Sequence, residues 1–370
     1  MEGEFAVRAK LALVGDDLRV EKNICINVRD GIIESITSSA SCRVNAFGGD
    51  SLIVTPQPAL LHTHSADHSF TEYGVDRDLE SLVAPPNGLK HRKLSELDKE
   101  AIIEGILEFY RLAWRYGVGL LADFREGGGV GCSLAKEAYK QAPDGLQVIV
   151  LGRPGPEFPR GCDGLGISSP LDHSLEELRS LTNMLRPALA HVAETREARE
   201  KGDLELAIDA GFDAIIHGTH LTEEDLMLIK TSGLGLVLCP RSNLWHGIGI
   251  PPVYEALKVL DRIGLGSDNA AWMTPNIWRE IEVAVLIARS RGPVGEWLAK
   301  KILRGVFVES YKIMGSKPRI IEEGEPANFL VFNTADYGFE RAESIYYALT
   351  KRLGGENLVA RIDGGEISFL

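Results

Sequence analysis

Two histidines separated by one residue, His62 and His64, close the apolar run Pro58-Ala59-Leu60-Leu61-His62-Thr63-His64. The run reads as a β-strand, and side chains two apart on a strand point to the same face. If the backbone stays extended through Thr63, both imidazoles can grip one metal ion. On its own, His-x-His is as well explained by a loop that holds two of the chain's nine histidines. Three more apolar runs reverse that balance: each finishes in His191, His217 or Asp268, within Ala190-His191-Val192-Ala193-Glu194-Thr195, Ile215-Ile216-His217-Gly218-Thr219-His220 and Gly264-Leu265-Gly266-Ser267-Asp268-Asn269. Imidazoles and a carboxylate at four strand ends are the residue types that hold a divalent ion. A divalent ion lowers the pKa of bound water from about 15.7 to about 7, so hydroxide exists at neutral pH.

Around these ends stand other groups able to do chemistry. Glu194 lies three residues beyond His191 and can project toward the same pocket; the plainer reading is a carboxylate favoured at the N-terminus of a helix over 196–210. Arg125, followed by Glu126, and Arg153 end two further strands and could clamp a substrate carboxylate or phosphate; an equal alternative is a salt bridge across the mouth. Arg241, Ser242 and Asn243 end another. Trp245 and Trp272 are candidates for an aromatic wall against a flat heterocycle, with burial under the loops an even alternative. Asp67 and His68 carry a weak signal for substrate contact. His220 reads as structural, and His91, His173 and His246 have no comparable placement. Gly127-Gly128-Gly129 gives a flexible loop that does not match a phosphate-binding Walker loop.

The elements that must carry these residues alternate between strand and helix. Strands read at Gly119–Phe124, Gln147–Leu151, Gly164–Ser168, Ala188–Val192, Ala214–Ile216, Leu234–Leu238 and Ile263–Ser267, after the opening strand. Helices read from Ser95-Glu96-Leu97-Asp98 to Gly117, from the capping box Ser174-Leu175-Glu176-Glu177, over 196–210, from Thr222, near 252–258 and over 277–290. Eight strands, most followed by a helix, specify a closed (β/α)8 TIM-type barrel, whose chemistry lies at the C-terminal strand ends. An open doubly wound sheet is the runner-up, without a GxGxxG to support it. The two ends of the chain carry period-2 strands and tight turns, as in Ile24–Val28 followed by Asp30-Gly31, and in Val359–Ile362 followed by Asp363-Gly364-Gly365. The expected organisation is a small β-sandwich-like domain from 1–55 and 316–370 and a catalytic barrel over 56–315, with the loop 65–93, including Pro85-Pro86-Asn87-Gly88-Leu89-Lys90, as its distinctive insertion.

Bulk properties narrow the partners. Hydrophobic content of 44% and charged content of 25% suit a soluble globular chain. A net charge of −13 speaks against nucleic acid or an anionic membrane as partner. Cys25, Cys42, Cys132, Cys162 and Cys239 form no CxxC pair, and their odd number implies no disulfide framework and a reducing compartment. With no secretory leader and no run near the ~18 apolar residues of a membrane span, the expectation is a cytoplasmic protein, a homo-oligomer (homodimer) acting on a small molecule.

The sequence resembles the amidohydrolase superfamily, in particular its aminohydrolase branch of deaminases and chlorohydrolases, over nearly its whole length. The resemblance is carried by the split β domain, Pro58–His64, His191–Thr195, His217-Gly218-Thr219-His220-Leu221-Thr222, Cys239-Pro240-Arg241-Ser242-Asn243 and Ser267-Asp268-Asn269. It implies His62, His64, His191 and Asp268 as metal ligands, Glu194 as proton shuttle and His217 as the group that polarises or orients the attacked centre. Related enzymes with two metals use a carboxylated lysine at the end of strand 4, and Asp163–Ser169 has none, so one ion (Zn or Fe) is expected. Ala59 replaces the usual Gly after the proline. The implied reaction is deamination of a nitrogen heterocycle (purine, pyrimidine, pterin or related) by attack of metal-bound hydroxide, with ammonia released. Alternatives are hydrolysis of a cyclic amide, loss of another group such as chloride, or a silent barrel scaffold. Substrate contact is assigned to Arg125, Arg153, Asn243 and Trp272.

Overall fold

The computed structural model describes residues 3–42, 46–84, 87–154 and 160–370. Strands β1 (Glu4–Val14), β2 (Arg19–Arg29), β3 (Ile32–Ser38) and β4 (Phe47–Pro56) come from the N-terminal end. The barrel strands follow: β5 (Ala59–His64), β6 (Leu120–Arg125), β7 (Gln147–Gly152), β8 (Gly164–Ile167), β9 (Ala188–Val192), β10 (Ala214–His217), β11 (Gly235–Leu238), β12 (Ile263–Leu265) and β13 (Asp268–Asn269). The C-terminal end supplies β14 (Phe329–Asn333), β15 (Leu358–Asp363) and β16 (Glu366–Phe369).

β5 to β12 are parallel neighbours in chain order, and β13 pairs with β5 in the register Asp268 to Thr63 and Asn269 to His64. β12 and β13 lie two residues apart in one strand path, so this last pairing closes a TIM-type barrel. Closure sets Asp268 beside the ends of the two histidines that open it. The barrel interior is apolar, with Ala59, Leu61, Leu120, Ile149, Leu189, Ile216 and Val237 among its core residues.

Both chain ends join one seven-stranded sheet in the order β16-β15-β14-β4-β1-β2-β3. Its core gathers Val7, Ile26, Val54, Phe329 and Ile362. The turn at Asp30-Gly31 forms as the sequence requires, with φ of 50° and 78°. A Cβ on Gly31 would stand 2.5 Å from the carbonyl oxygen of Gly364, so the β2–β3 and β15–β16 turns touch. Both chain ends thus share one separate mixed sheet.

Local structure departs from the sequence reading in several places. The loop 65–93 contains two short helices, Leu79–Val83 and Leu89–Glu96; Pro85 and Pro86 lie outside the described residues. Gly127-Gly128-Gly129 is not a flexible loop: left-handed Gly127 (φ 81°) caps a helix over Gly128–Tyr139. The helix over 196–210 breaks at Gly202 (φ 87°) into Arg196–Glu200 and Asp203–Asp209. A helical segment over Trp297–Ile313, unforeseen, packs beneath β12.

The cysteine expectation is overturned. Cys25 pairs with Cys42 and Cys132 with Cys162, each with Cα atoms 5.4 Å apart, and buried Cys239 stays free. The partners are 17 and 30 residues apart in sequence, so chain folding rather than motif spacing brings them together. The cysteine argument for a reducing compartment falls with it. Among the described residues, no helix is long and apolar enough to cross a membrane.

Candidate active site

The histidines of β5 emerge side by side, their ring centroids 4.9 Å apart, so the backbone keeps both on one face. His191, from β9, places its ring 4.7 Å from His62 and 5.8 Å from His64. His217 ends β10 and stands 5.4 Å from His62 and 5.3 Å from His191. Phe124 of β6 packs edge-on beneath His62 at 4.4 Å. Asp268 Oδ1 lies 3.1 Å from His62 Nε2 and 3.6 Å from His64 Nε2. The four expected ligand side chains and both expected catalytic partners thus share one small volume.

The backbone at these strand ends is unusual. His217 has φ 71°, Asp268 φ 66° and Ala193 φ 50°. Left-handed conformations of non-glycine residues cost roughly 1–3 kcal/mol each and persist only where surrounding structure holds them. Here the supports are visible. Ser65 N–H and Oγ–H donate to Asp123 at 2.9 and 2.6 Å, and Tyr110 O–H donates to the same carboxylate at 2.7 Å, pinning the exit of β5 to β6. Ala193 N–H donates to Asp203 Oδ2 at 2.6 Å. Asn243 Nδ2 donates to Thr219 Oγ1 at 2.5 Å, bracing the turn after His217.

Burial sets the protonation of the site. It lowers His62 to about 4, outweighing the opposing hydrogen bond that its N–H donates to Asp268. It also lowers His64 and His191 well below the ordinary imidazole value, aided by the Lys90 charge at His64 and by His62 at His191. Burial alone would raise Asp268, yet the hydrogen bond and charge of His62 hold it well below the usual carboxylate range. Burial raises Glu194. The site is therefore neutral imidazoles around one ionised carboxylate, the protonation state that a divalent ion needs.

Among the described residues, two sets of buried donor atoms cluster tightly enough for an ion: His62, His64 and His191, and His62, His217 and Cys239. Burial pushes the Cys239 thiol well above its ordinary value, which disfavours the thiolate. The first set fits better. His191 Nδ1–H donates to the Ile167 carbonyl at 2.8 Å, leaving Nε2 as its free lone pair, the arrangement seen in metal-ligating histidines. His62 Nε2 and His64 Nε2 both face Asp268 Oδ1. A nitrogen-and-oxygen donor set of this kind accepts zinc or iron.

Beyond these residues opens a cavity of about 630 Å³. Its walls include His64, His191, Glu194, His217, Asp268 and Arg153. Three of the expected substrate contacts lie elsewhere. Arg125 is buried against Asp123 and Glu126. Asn243 serves the turn described above. Trp272 is buried, its indole N–H donating to the Tyr73 carbonyl at 3.1 Å. Trp245 is exposed, away from the cavity wall. Asp67 is buried in an ion pair, His68 packs on Phe109, and His220 donates to the Ile248 carbonyl. Among the lining residues missed are His246, whose ring meets Trp272 edge-on at 4.9 Å, and Lys90. Neither sits at a strand end, so no positional signal marked them.

A closed parallel barrel with imidazoles and a carboxylate on its C-terminal rim defines the metal-dependent barrel hydrolases as a class. Comparison makes this particular: residues 61–353 match the model of the amidohydrolase family. The chain belongs to that family and is a hydrolase of carbon–nitrogen bonds. It is 31% identical over 344 residues to an uncharacterized protein of Methanocaldococcus jannaschii, covering 86% of this chain and 87% of that one. It is 29% identical over 375 residues to a protein of Methanothermobacter thermautotrophicus named a putative aminohydrolase, covering 94% of each. A solved adenosine deaminase from Xanthomonas campestris with bound zinc superposes with TM-score 0.79 at 15% identity, covering 100% of this chain and 93% of that one. At that identity the likeness establishes the fold.

Proposed function

We propose that the chain deaminates an amino- or imino-substituted nitrogen heterocycle (a purine, pyrimidine, pterin or related base) and releases ammonia. His62, His64, His191 and Asp268 would hold one divalent ion, zinc or iron. When bound, that ion supplies an activated water and a Lewis-acidic charge at the electrophilic carbon.

The chain's own residues do the rest. Glu194 Oε1 lies 3.6 Å from His217 Nε2 at the cavity wall, and burial raises its carboxyl toward neutrality. It takes a proton from the attacking water and delivers it to the leaving nitrogen. Asp268, ionised and aimed at the same volume, shares in taking that first proton. Among the described residues, both His217 ring nitrogens are buried without a hydrogen-bond partner, so the ring has a hydrogen bond left to give to the attacked centre. The partly buried Arg153 is the one expected substrate contact that reaches the cavity, and we assign it that role.

The observation that carries this reading is Glu194 beside His217: a half-buried carboxyl of raised pKa suits a leaving group that departs as an amine. Relatives named as 5-methylthioadenosine/S-adenosylhomocysteine deaminases support it, among them one from Pyrococcus abyssi that is 29% identical over 49% of this chain and 45% of its own. A barrel of the same fold named as an atrazine chlorohydrolase keeps displacement of chloride as the second reading. A homodimer, a cytoplasmic location and a division of the chain into 1–55 with 316–370 and 56–315 complete the proposal. The test is ammonia release by the zinc- or iron-loaded protein on a panel of purines, pyrimidines, pterins and guanidino compounds. Glu194→Gln is expected to keep its metal and lose about 10²–10⁴-fold in turnover. Full turnover in that variant removes Glu194 from the mechanism.

A further inference from the structure

Lys90 is almost wholly buried, at 2% exposure, in the insertion between β5 and β6. A lysine rarely goes so deep unless it is paired. Its Nζ stands 2.9 Å from Asp67 Oδ2, 2.6 Å from Glu126 Oε1 and 3.2 Å from His64 Nδ1. Two carboxylate oxygens and an imidazole nitrogen, carried by separate stretches of chain, thus surround a single ammonium. That is also a donor set which zinc-like ions accept. The ammonium differs by holding its partners at hydrogen-bond distance, where a divalent ion would draw them to about 2.0–2.2 Å.

The surroundings show that a cation is needed there. Asp67 is fully buried, Asn269 Nδ2 donates to its Oδ2 at 2.6 Å, and its Oδ1 has no partner among the described residues. Without Lys90, none of the described cations contacts that carboxylate, and a buried carboxylate so left either destabilises the fold or takes up a proton. Glu126 keeps Arg125, whose Nη2 lies 3.1 Å from Oε2, and remains in place. Gly88 caps the helix that carries the lysine and packs close to the chain before it: a Cβ on Gly88 would come within 2.8 Å of the Ala84 backbone.

We propose that Lys90 Nζ fills a second cation position, bounded by Asp67, Glu126 and the outer nitrogen of His64, and thereby confines the protein to one divalent ion. The inference rests on the reading that His62, His64, His191 and Asp268 hold that first ion. That second position lies at His64 Nδ1, opposite the Nε2 that faces Asp268, so an ion there would displace to solvent the Nδ1 proton now donated to Glu126 Oε1 at 3.0 Å, and the two positions would share an imidazolate.

Zinc content per chain tests both layers separately. Full-length wild type, Lys90→Ala and Lys90→Ser are equilibrated with zinc, desalted and measured by mass spectrometry of the metal. The expected result is one zinc in wild type and two in each variant, with zinc raising the melting temperature further in the variants. Adding Glu126→Gln to Lys90→Ala is expected to return the count to one. Wild type without zinc refutes the metal-site reading itself. Two zincs in wild type, one zinc in the folded Lys90 variants, or two in the double variant overturns the inference. So does a variant that fails to fold in excess zinc, since the ion is then no substitute for the ammonium.

Discussion

Ser242 Oγ donates to Asp268 Oδ2 at 2.5 Å, while Asp268 Oδ1 faces His62 Nε2 at 3.1 Å. The hydroxyl occupies one carboxylate oxygen and so reserves the other for the imidazole side. A ligand's outer partners fix its orientation, and their loss typically costs 10–100-fold in metal affinity or activity.

Ser242→Ala is therefore expected to weaken zinc binding by roughly tenfold or more, because the freed carboxylate can rotate. Competition with a chromophoric chelator reads that affinity directly. Unchanged affinity would mean that backbone strain at Asp268 alone sets the carboxylate.

The pairing of Ser242 with Asp268 shows where sequence reading reaches its limit. His62, His64, His191 and Asp268 were legible because each ends an apolar run, and a parallel barrel puts all such ends on one rim. Ser242 was visible only as part of a motif, since nothing local says which strand end it faces. Arg125 misled for a related reason: it ends β6 like a site residue, yet Asp123 two residues earlier draws it under the rim. Lys90 was hidden because it rides on a helix within an insertion, where no strand register locates a side chain. The disulfides were hidden because their partners meet only once the chain is folded.

Gly266 joins β12 to β13, and a Cβ there would stand 2.5 Å from His62 Cβ and 3.1 Å from Cys239 Sγ. The clash is with fixed groups rather than a flexible tip, so the strand must shift. Gly266→Ala is expected to destabilise by about 1–3 kcal/mol or more and to lower zinc occupancy together with the melting temperature. A variant with normal zinc content and normal melting would show that the strand end tolerates the shift.

Metal-free protein should lose stability in mild acid. His62 titrates near 6.5 in the unfolded chain and near about 4 when buried. Between those values the unfolded state binds more protons, so stability falls as pH is lowered from about 6.5 toward about 4. For His62 alone the loss is on the order of 3 kcal/mol, and His64 and His191 shift in the same direction. Urea unfolding of chelator-treated protein at pH 7.5 and at pH 4.5 measures it. Equal midpoints would contradict neutral, buried imidazoles.

Asp203 separates the two ends of the β9 turn. Its Oδ2 accepts the Ala193 N–H at 2.6 Å and holds that residue at φ 50°, directly before Glu194. His191 has its own anchor, the Nδ1–H bond to the Ile167 carbonyl. Removing the Asp203 carboxylate should therefore release Glu194 while leaving the His191 ring in place. Asp203→Ala is expected to lower kcat by roughly 10–100-fold with zinc content unchanged, a loss typical of misplacing a proton-transfer group. Asp203→Asn keeps an acceptor oxygen for the same N–H and should recover most of that loss. If Asp203→Ala instead sheds zinc in step with activity, the turn positions His191 rather than Glu194, because the Ile167 carbonyl would then be too weak a tether to hold the ring alone.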